Sequence, residues 1–230
     1  MAEESRRSGR WAAKVRAGHA LGVGEGAALE SPAELELPRG RESAIAWAIA
    51  LMADPAVVFL DTETTGLGPE AEVVDLAVVG WNGGVLLETL IKPIGEIPRE
   101  SSAVHGIRAS DVASAPSWSE VHGMLCKLLE GRPIVVYNAP FDRRMVEQCG
   151  ARHRMPLPLL RWECAMRAFA RFDEVRDSRG RPRWQKLERA VGKFGAAPGG
   201  HRAAADALAC RAVVVGMAAA KASNDPGDPT

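Results

Sequence analysis

Two acidic side chains, Asp61 and Glu63, close an apolar run in the segment VVFLDTETTG. The run 57–60 is typical of a buried strand, and residues two apart on an extended chain point to the same side. Two carboxylates held side by side near a core repel each other, and their desolvation is costly. The pair therefore needs a positive partner if it is functional, although a D-x-E at a strand end also occurs in ordinary turns and caps.

Four further polar positions lie where predicted strands end or helices begin. In YNAPFD, Asn138 follows an apolar strand and Asp142 begins the next helix, where it is also a candidate helix cap. In HRAAAD, His201 follows a glycine pair and Asp206 lies inside the last helix. Five helical residues rotate by about 140°, so the two side chains share a site only if His201 lies on the loop and folds back.

Length and composition indicate one well-packed domain with extensions. The 230 residues are 47% hydrophobic and 25% charged, and no apolar stretch approaches the roughly 20 residues that span a bilayer. The start MAEESRRSGRW has no apolar segment behind its basic residues, so no secretory signal is expected. The four cysteines form no Cys-x-x-Cys pair, which favours reduced thiols in an intracellular, cytoplasmic protein without a membrane partner.

The pattern of apolar residues and turns predicts an α/β domain around a mixed sheet. We expect a flexible extension at 1–40, the domain at 41–220 and a disordered tail at 221–230. Strands are predicted over 57–61, 72–81, 85–93 and 133–137, the second and third joined by the turn Asn82-Gly83-Gly84. Helices are predicted over 41–52, 119–130, 142–149, 163–172, 184–194 and 203–220.

The net charge is zero, yet residues 143–193 contain 14 Lys/Arg against 6 Asp/Glu. A basic block of this kind suits a polyanionic partner, and a solvated helix face rich in arginine explains it equally well. Trp162 and Trp184 have the side chain that stacks on nucleic-acid bases, although core packing is the expected role of both.

Four motifs together, DTETTGL, VHGI, YNAPFD and HRAAAD, resemble those of the DnaQ-like 3′–5′ exonucleases of the DEDDh type, in the ribonuclease H-like superfamily. The resemblance spans roughly 57–218 and extends to the epsilon-type proofreading subunit of bacterial DNA polymerase III. It implies a mixed five-stranded sheet flanked by helices, with the first three strands antiparallel. Tyr137 stands where several relatives have histidine, at a position that is not catalytic. Because Tyr137 is the only tyrosine, the branch of the family with tyrosine in place of His201 is excluded.

The resemblance also implies a two-metal hydrolytic site with a histidine base. The implied ligands of two Mg²⁺ or Mn²⁺ ions are Asp61, Glu63, Asp142 and Asp206, and His201 is the implied base. Carboxylate oxygens suit these hard cations, and a pair of them can clamp the attacking and leaving oxygens of a phosphoryl displacement. Histidine exchanges protons readily near neutral pH. The expected product is a nucleoside 5′-monophosphate released from a free 3′ end.

The same resemblance suggests which residues meet the substrate. The implied contacts are Thr64, Thr65 and Gly66 at the terminal 3′-OH, Leu67 under the terminal base, His105 in the same pocket and Asn138 in support. A plain turn remains an alternative for residues 64–66, and Phe141 is expected in the core. Arg143, Arg144 or the loop 176–183 would guide the phosphate backbone.

DNA with a free 3′ end is the preferred substrate, and two alternatives stay open. An exoribonuclease of the oligoribonuclease or RNase T kind uses the same five residues, and the contacts to the 2′-OH that separate RNA from DNA leave no sequence pattern. A non-catalytic nucleic-acid-binding or polymerase-scaffold module is less favoured, because all five residues are present. A polymerase or repair partner remains unproven from the sequence.

Overall fold

The computed structural model describes residues 40–220, so the expectations for residues 1–39 and 221–230 lie outside the described part. The strands are β1 Val58–Thr64, β2 Val73–Gly80, β3 Val85–Leu90, β4 Pro133–Val136 and β5 Arg161–Cys164. The helices are α1 Arg41–Ala53, α2 Arg99–His105, α3 Ala109–Val112, α4 Trp118–Leu129, α5 Ala139–Arg152, α6 Ala165–Asp173, α7 Leu187–Gly192 and α8 Ala203–Ala219. Within residues 40–220, no helix has both the length and the apolar character needed to cross a membrane.

The sheet is mixed and five-stranded, which confirms the predicted fold class. Its strand order is β3-β2-β1-β4-β5. Strands β1, β2 and β3 pair antiparallel, whereas β4 pairs parallel with both β1 and β5. The β2–β3 hairpin turns where expected, with Gly83 at φ 86° and the Gly80 amide donating to the Gly84 carbonyl. The central strand β1 therefore ends beside the first residues that follow β4.

Two expectations about the second half of the chain were wrong. The segment 163–172 was expected to be helical throughout, but residues up to Cys164 extend β5 and the helix begins at Ala165. Parallel pairing with β4 supplies backbone hydrogen bonds there and outweighs local helix preference. The helix expected over 184–194 is restricted to Leu187–Gly192, and Trp184 lies on the preceding loop with 63% of its surface exposed. The short helices α2 and α3 were not predicted.

Helices cover both faces of the sheet, which explains why its strands are apolar runs. Phe59 and Val135 point to the layer that contains α1, α6 and α8. Their strand neighbours Val58 and Ile134 point to the opposite layer, formed by α4 and α5. Trp162 is buried in this second layer, as expected. The long helix α8 contacts α1, β1 and β2, so it is fixed against the strand that carries the D-x-E pair.

Helix α8 also makes a very close approach to the segment that follows α7. A Cβ added to Gly216 would come within 2.3 Å of the Phe194 ring. That ring packs on Phe169 and Phe172, with centroids 6.2 and 5.6 Å away, so it has little freedom to move. Glycine is therefore needed at position 216 so that Phe194, which leads into the 195–202 loop, can pack directly against α8.

We predict that Gly216→Ala lowers the free energy of unfolding by about 1–3 kcal/mol, because overpacking against Phe194 outweighs alanine's better helix propensity. Gly123→Ala on α4 is the matched control, since an added Cβ there meets nothing within 4 Å. The control is expected to gain roughly 0.5–1 kcal/mol. Urea unfolding of both variants measures the difference, and equal stabilisation of the two would contradict the close approach.

Candidate active site

Strand β1 presents Asp61 and Glu63 on one side, as their spacing predicts. Thr62 and Thr64 are buried, whereas the two acids that alternate with them along the strand are only partly so. The strand continues through Thr64, three residues beyond its predicted end at Asp61. Both carboxylates therefore lie within the paired part of β1, where the backbone holds them rigidly at the end of the central strand.

Asp142 reaches the same place from the first turn of α5. The helix begins directly after β4, with Asn138 as its N-terminal flanking residue, so Asp142 is not the helix cap. Its side chain is buried and accepts a 2.7 Å hydrogen bond from the Thr62 hydroxyl. The hydroxyl thus ties the α5 acid to β1, between Asp61 and Glu63.

His201 and Asp206 approach from the opposite side. His201 lies on the loop before α8, at φ 59°, and Asp206 lies in the first turn of the helix. One ligand atom from each of Glu63, His201 and Asp206 lies within 4.8 Å of the others. The left-handed turn at His201 folds the imidazole back over the helix, which overcomes the five-residue spacing between the two side chains.

An ion pair between a buried aspartate and a half-exposed arginine, which the sequence analysis missed, anchors this loop. Asp75 is 1% exposed on β2, opposite Glu63, and receives a 2.9 Å bond from the Arg202 guanidinium. The Ala203 amide also points to this carboxylate, at 3.4 Å. Because Arg202 follows His201 directly, the pair fixes the imidazole's loop to the sheet. A lone aspartate inside the apolar strand VVDLAVV was the available sequence signal.

The convergence of acids dominates the electrostatics. Burial, with added repulsion from Asp142, Asp206 and Glu63, raises the pKa of Asp61 well above its usual value. Burial, followed by repulsion from Asp206, raises the pKa of Glu63 to about 8. Burial also raises the pKa of Asp142 to about 7, against the opposing hydrogen bond from Thr62. The pKa of Asp206 rises through burial too, and His201 moderates the shift.

These side chains line one open cleft of about 540 Å³. Phe141 is half-buried at its wall, and Asn138 is exposed at the start of α5. The segment 184–188, Tyr137, Thr62 and Met166 complete the wall. The Tyr137 hydroxyl donates a 2.9 Å hydrogen bond to the Gln185 carbonyl, so Tyr137 holds this segment against the end of β4.

The loop after β1 is held by its own threonines. The Thr64 hydroxyl donates to the Gly66 carbonyl at 2.7 Å, and the Glu72 amide donates to the Thr65 hydroxyl at 2.9 Å. Leu67 lies at the tip of the loop with 75% of its surface exposed. These contacts use both hydroxyls to shape the loop and leave the leucine open to a ligand.

His105 is buried and uses both ring nitrogens within the protein. Its Nδ1 accepts from the Ile107 amide at 3.0 Å, so Nε2 carries the proton and donates to the Thr64 carbonyl at 3.3 Å. Desolvation lowers the pKa of this imidazole, which keeps it neutral. His105 therefore supports the loop 64–66 from behind in this structure.

Comparison with known proteins identifies the group to which this arrangement belongs. The sequence profile of the RNase T family, described as exonuclease, matches residues 58–214. The chain belongs to this exonuclease family. An uncharacterized exonuclease, CP81, of Escherichia phage 186 is 36% identical over 163 residues, which cover 65% of this chain and 81% of the phage protein. A DNA polymerase III subunit epsilon-like protein of Rhodobacter capsulatus is 46% identical over 113 residues, 46% of this chain and 16% of the longer relative.

Solved structures of exonucleases have the same ribonuclease H-like fold. Exonuclease X in complex with 5′ overhanging duplex DNA aligns with a TM-score of 0.52 at 24% identity, covering 74% of this chain and 94% of that one. Escherichia coli exonuclease I with a dT13 oligonucleotide aligns with a TM-score of 0.59 at 16% identity, and the alignment covers 73% of this chain and 42% of exonuclease I. At these identities the likeness concerns the fold of the exonuclease domain.

We predict that Gly199→Ala lowers nuclease activity by about a hundredfold, the scale associated with displacements near 1 Å in a catalytic site. An alanine Cβ would lie 2.0 Å from the Asp206 carboxylate, so Asp206 or the His201 loop must shift. Gly192→Ala is the control, because its Cβ meets nothing within 4 Å. Steady-state rates of the two purified variants test this, and full activity of Gly199→Ala would contradict it.

Proposed function

We propose that this exonuclease is metal-dependent and removes nucleotides from the 3′ end of single-stranded DNA as nucleoside 5′-monophosphates. The observation that carries the proposal is the meeting of four carboxylates and His201 around one open cleft. Such a cleft can admit a chain end, and its acids suit cations that neutralise a phosphodiester. A solved relative supports the polarity, since it is a 3′-exonuclease with 3′-end specific recognition of a histone mRNA stem-loop.

The donor set fits divalent cations. Within residues 40–220, none of Asp61, Glu63, Asp142 and Asp206 forms an ion pair with lysine or arginine, although burial and repulsion raise the pKa of all four. Hard carboxylate oxygens of this kind are the ligands that Mg²⁺ and Mn²⁺ prefer. When bound, two such ions supply Lewis-acid activation of the phosphodiester and stabilise the departing 3′ oxygen.

The remaining roles follow from the positions of the side chains. His201 is exposed at the cleft beside Glu63 and Asp206, where it can take a proton from the attacking water. The Asp75–Arg202 pair keeps the imidazole in place during that transfer. Leu67 and the loop 64–66 meet the terminal nucleotide, with His105 holding the loop's shape. Asn138 lies at the exposed entrance to the cleft and supports the same end of the substrate.

DNA is proposed as the substrate because, among relatives whose names include a nucleic acid, those named for DNA polymerase match at the higher identities. The polymerase epsilon-like relative is 46% identical, whereas proteins named RNA exonuclease 4 match at 24–27%. Exonuclease X and exonuclease I were solved with DNA.

Metal binding is tested by thermal unfolding across pH. In the unfolded chain the carboxyls ionise near pH 4, whereas the fold raises the pKa of Asp142 to about 7 and that of Glu63 to about 8. Stability in chelator therefore falls as pH rises from about 5 to 8, since the unfolded state releases protons that the fold retains. We predict that Mg²⁺ restores the Tm at pH 8 and has a smaller effect at pH 5. In Asp61→Asn, the Tm should fall less steeply with pH and should rise less on addition of Mg²⁺. A wild-type Tm that does not depend on metal would contradict the proposal.

Hydrolysis is tested with a 5′-labelled oligonucleotide of one sequence, prepared as DNA and as RNA. We predict that the labelled products form a ladder that shortens from the 3′ end when Mg²⁺ or Mn²⁺ is present. Degradation should stop in chelator and should be faster with DNA than with RNA. Asp142→Asn should abolish the ladder, and Glu147→Gln on the exposed face of the same helix should leave it unchanged. Immediate release of the labelled nucleotide would instead indicate attack from the 5′ end.

A further inference from the structure

A second cavity, of about 700 Å³, adjoins the cleft. Its wall comes from α6 and from the loop that joins α6 to α7. The charged and aromatic lining residues are Arg167, Arg171, Asp177, Arg181, Arg183 and Trp184. We refer to this cavity as the Arg–Trp pocket. Four arginines face one aspartate, so the pocket carries excess positive charge.

The single acid of the pocket is already engaged. Asp177 pairs with the Arg181 guanidinium at 2.9 Å and accepts the amides of Arg179 and Arg181 at 2.8 and 2.9 Å. Within residues 40–220, Arg167, Arg171 and Arg183 form no ion pair or side-chain hydrogen bond. Three guanidinium groups are therefore available to an anion, and their planar donors match the oxygens of a phosphate.

The loop that carries these residues is ordered by its own hydrogen bonds. The Asp177 amide donates to Arg181, the Arg183 amide donates to Val175, and Arg176 forms a bridge with Pro182. Gly180 closes the turn at φ 74°. The pocket wall is thus a small hairpin whose arginines are presented from a fixed backbone, and binding does not have to order it first.

Trp184 lies on the boundary between the Arg–Trp pocket and the cleft, because it lines both. The indole is 63% exposed, which overturns the expected core role. Its neighbours are fixed on both sides, by the Arg183 amide bond to Val175 and by the Tyr137 hydroxyl bond to Gln185. An exposed tryptophan on a fixed backbone offers a flat apolar surface, as in proteins that stack single-stranded bases.

We propose that the Arg–Trp pocket binds the nucleotides immediately upstream of the one being removed. Trp184 stacks on an unpaired base as the strand leaves the cleft, and Arg183 with Arg171 contacts the following phosphates. Stacking and phosphate contacts do not depend on base identity, so the pocket adds affinity for single strands of any sequence. The inference rests on the proposed function, since it takes the cleft as the place where the 3′ end is cut.

The test compares a substrate that reaches the pocket with one that cannot. The long substrate is a twelve-residue oligothymidylate, and the short one is the p-nitrophenyl ester of thymidine 5′-monophosphate, which lacks upstream nucleotides. We expect Trp184→Ala to lower kcat/KM on the oligonucleotide by about tenfold or more, the scale of one lost base stack, and to lower it less on the ester. Arg183→Gln, at a residue that lines the pocket and not the cleft, should lower kcat/KM on the oligonucleotide and leave the ester within about twofold.

Matched controls separate the pocket from general effects. Arg189→Gln removes an equal charge from an exposed residue on α7 that does not line the pocket, and Trp81→Ala removes an exposed indole from the β2–β3 hairpin. Both should retain wild-type rates on the two substrates. Equal losses on oligonucleotide and ester in Trp184→Ala would overturn the inference, as would unchanged rates on both. If Trp184→Ala leaves both rates unchanged, the next ligand to test for the Arg–Trp pocket is an acidic protein segment.

A binding measurement keeps this inference separate from the proposed function. If the wild-type protein cuts neither substrate, the proposed function fails, and the pocket is judged by fluorescence anisotropy of labelled oligothymidylate in chelator. Weaker binding by Trp184→Ala and Arg183→Gln, with Arg189→Gln unchanged, supports a nucleic-acid pocket. Equal binding by all four proteins overturns it.

Discussion

The structure depends on the convergence of four carboxylates at the end of the central strand. Asp61 and Glu63 come from β1, Asp142 from α5 and Asp206 from α8, so three separate elements direct negative charge to one point. Desolvation opposes this arrangement and raises the pKa of every member, and repulsion from the other acids adds to the shift at Asp61, Glu63 and Asp142. The apolar layers on both faces of the sheet supply the stability that holds the acids together.

Much of the surrounding detail serves to hold those acids and the imidazole in place. Thr62 ties Asp142 to β1, and the Asp75–Arg202 pair ties the His201 loop to β2. Gly199 lets that loop pass against Asp206 where a methyl group does not fit. A chemical role for His201 therefore depends on contacts made by residues that never touch the substrate.

Local patterns in the sequence predicted four of the five strands, and the resemblance of four motifs to a known family supplied the residues around the cleft. Apolar runs identified β1 and β4, and the glycine pair before His201 indicated the loop that folds it back. The prediction from sequence failed at β5, because pairing with β4 decides the conformation there. It also failed at Trp184, whose exposure depends on how the 175–183 hairpin packs. Asp75 was missed because its partner, Arg202, is 127 residues away in the chain.

The account is tested most directly by locating a metal in the cleft through the anomalous scattering of Mn²⁺ in a crystal soaked with that ion. We predict manganese bound by the carboxylates of Asp61, Glu63, Asp142 and Asp206, with His201 outside the coordination sphere and free to accept a proton. The signal should be lost in Asp61→Asn. A cleft that binds no manganese would contradict the account, as would manganese held by His201 while Asp61 and Asp142 remain unliganded.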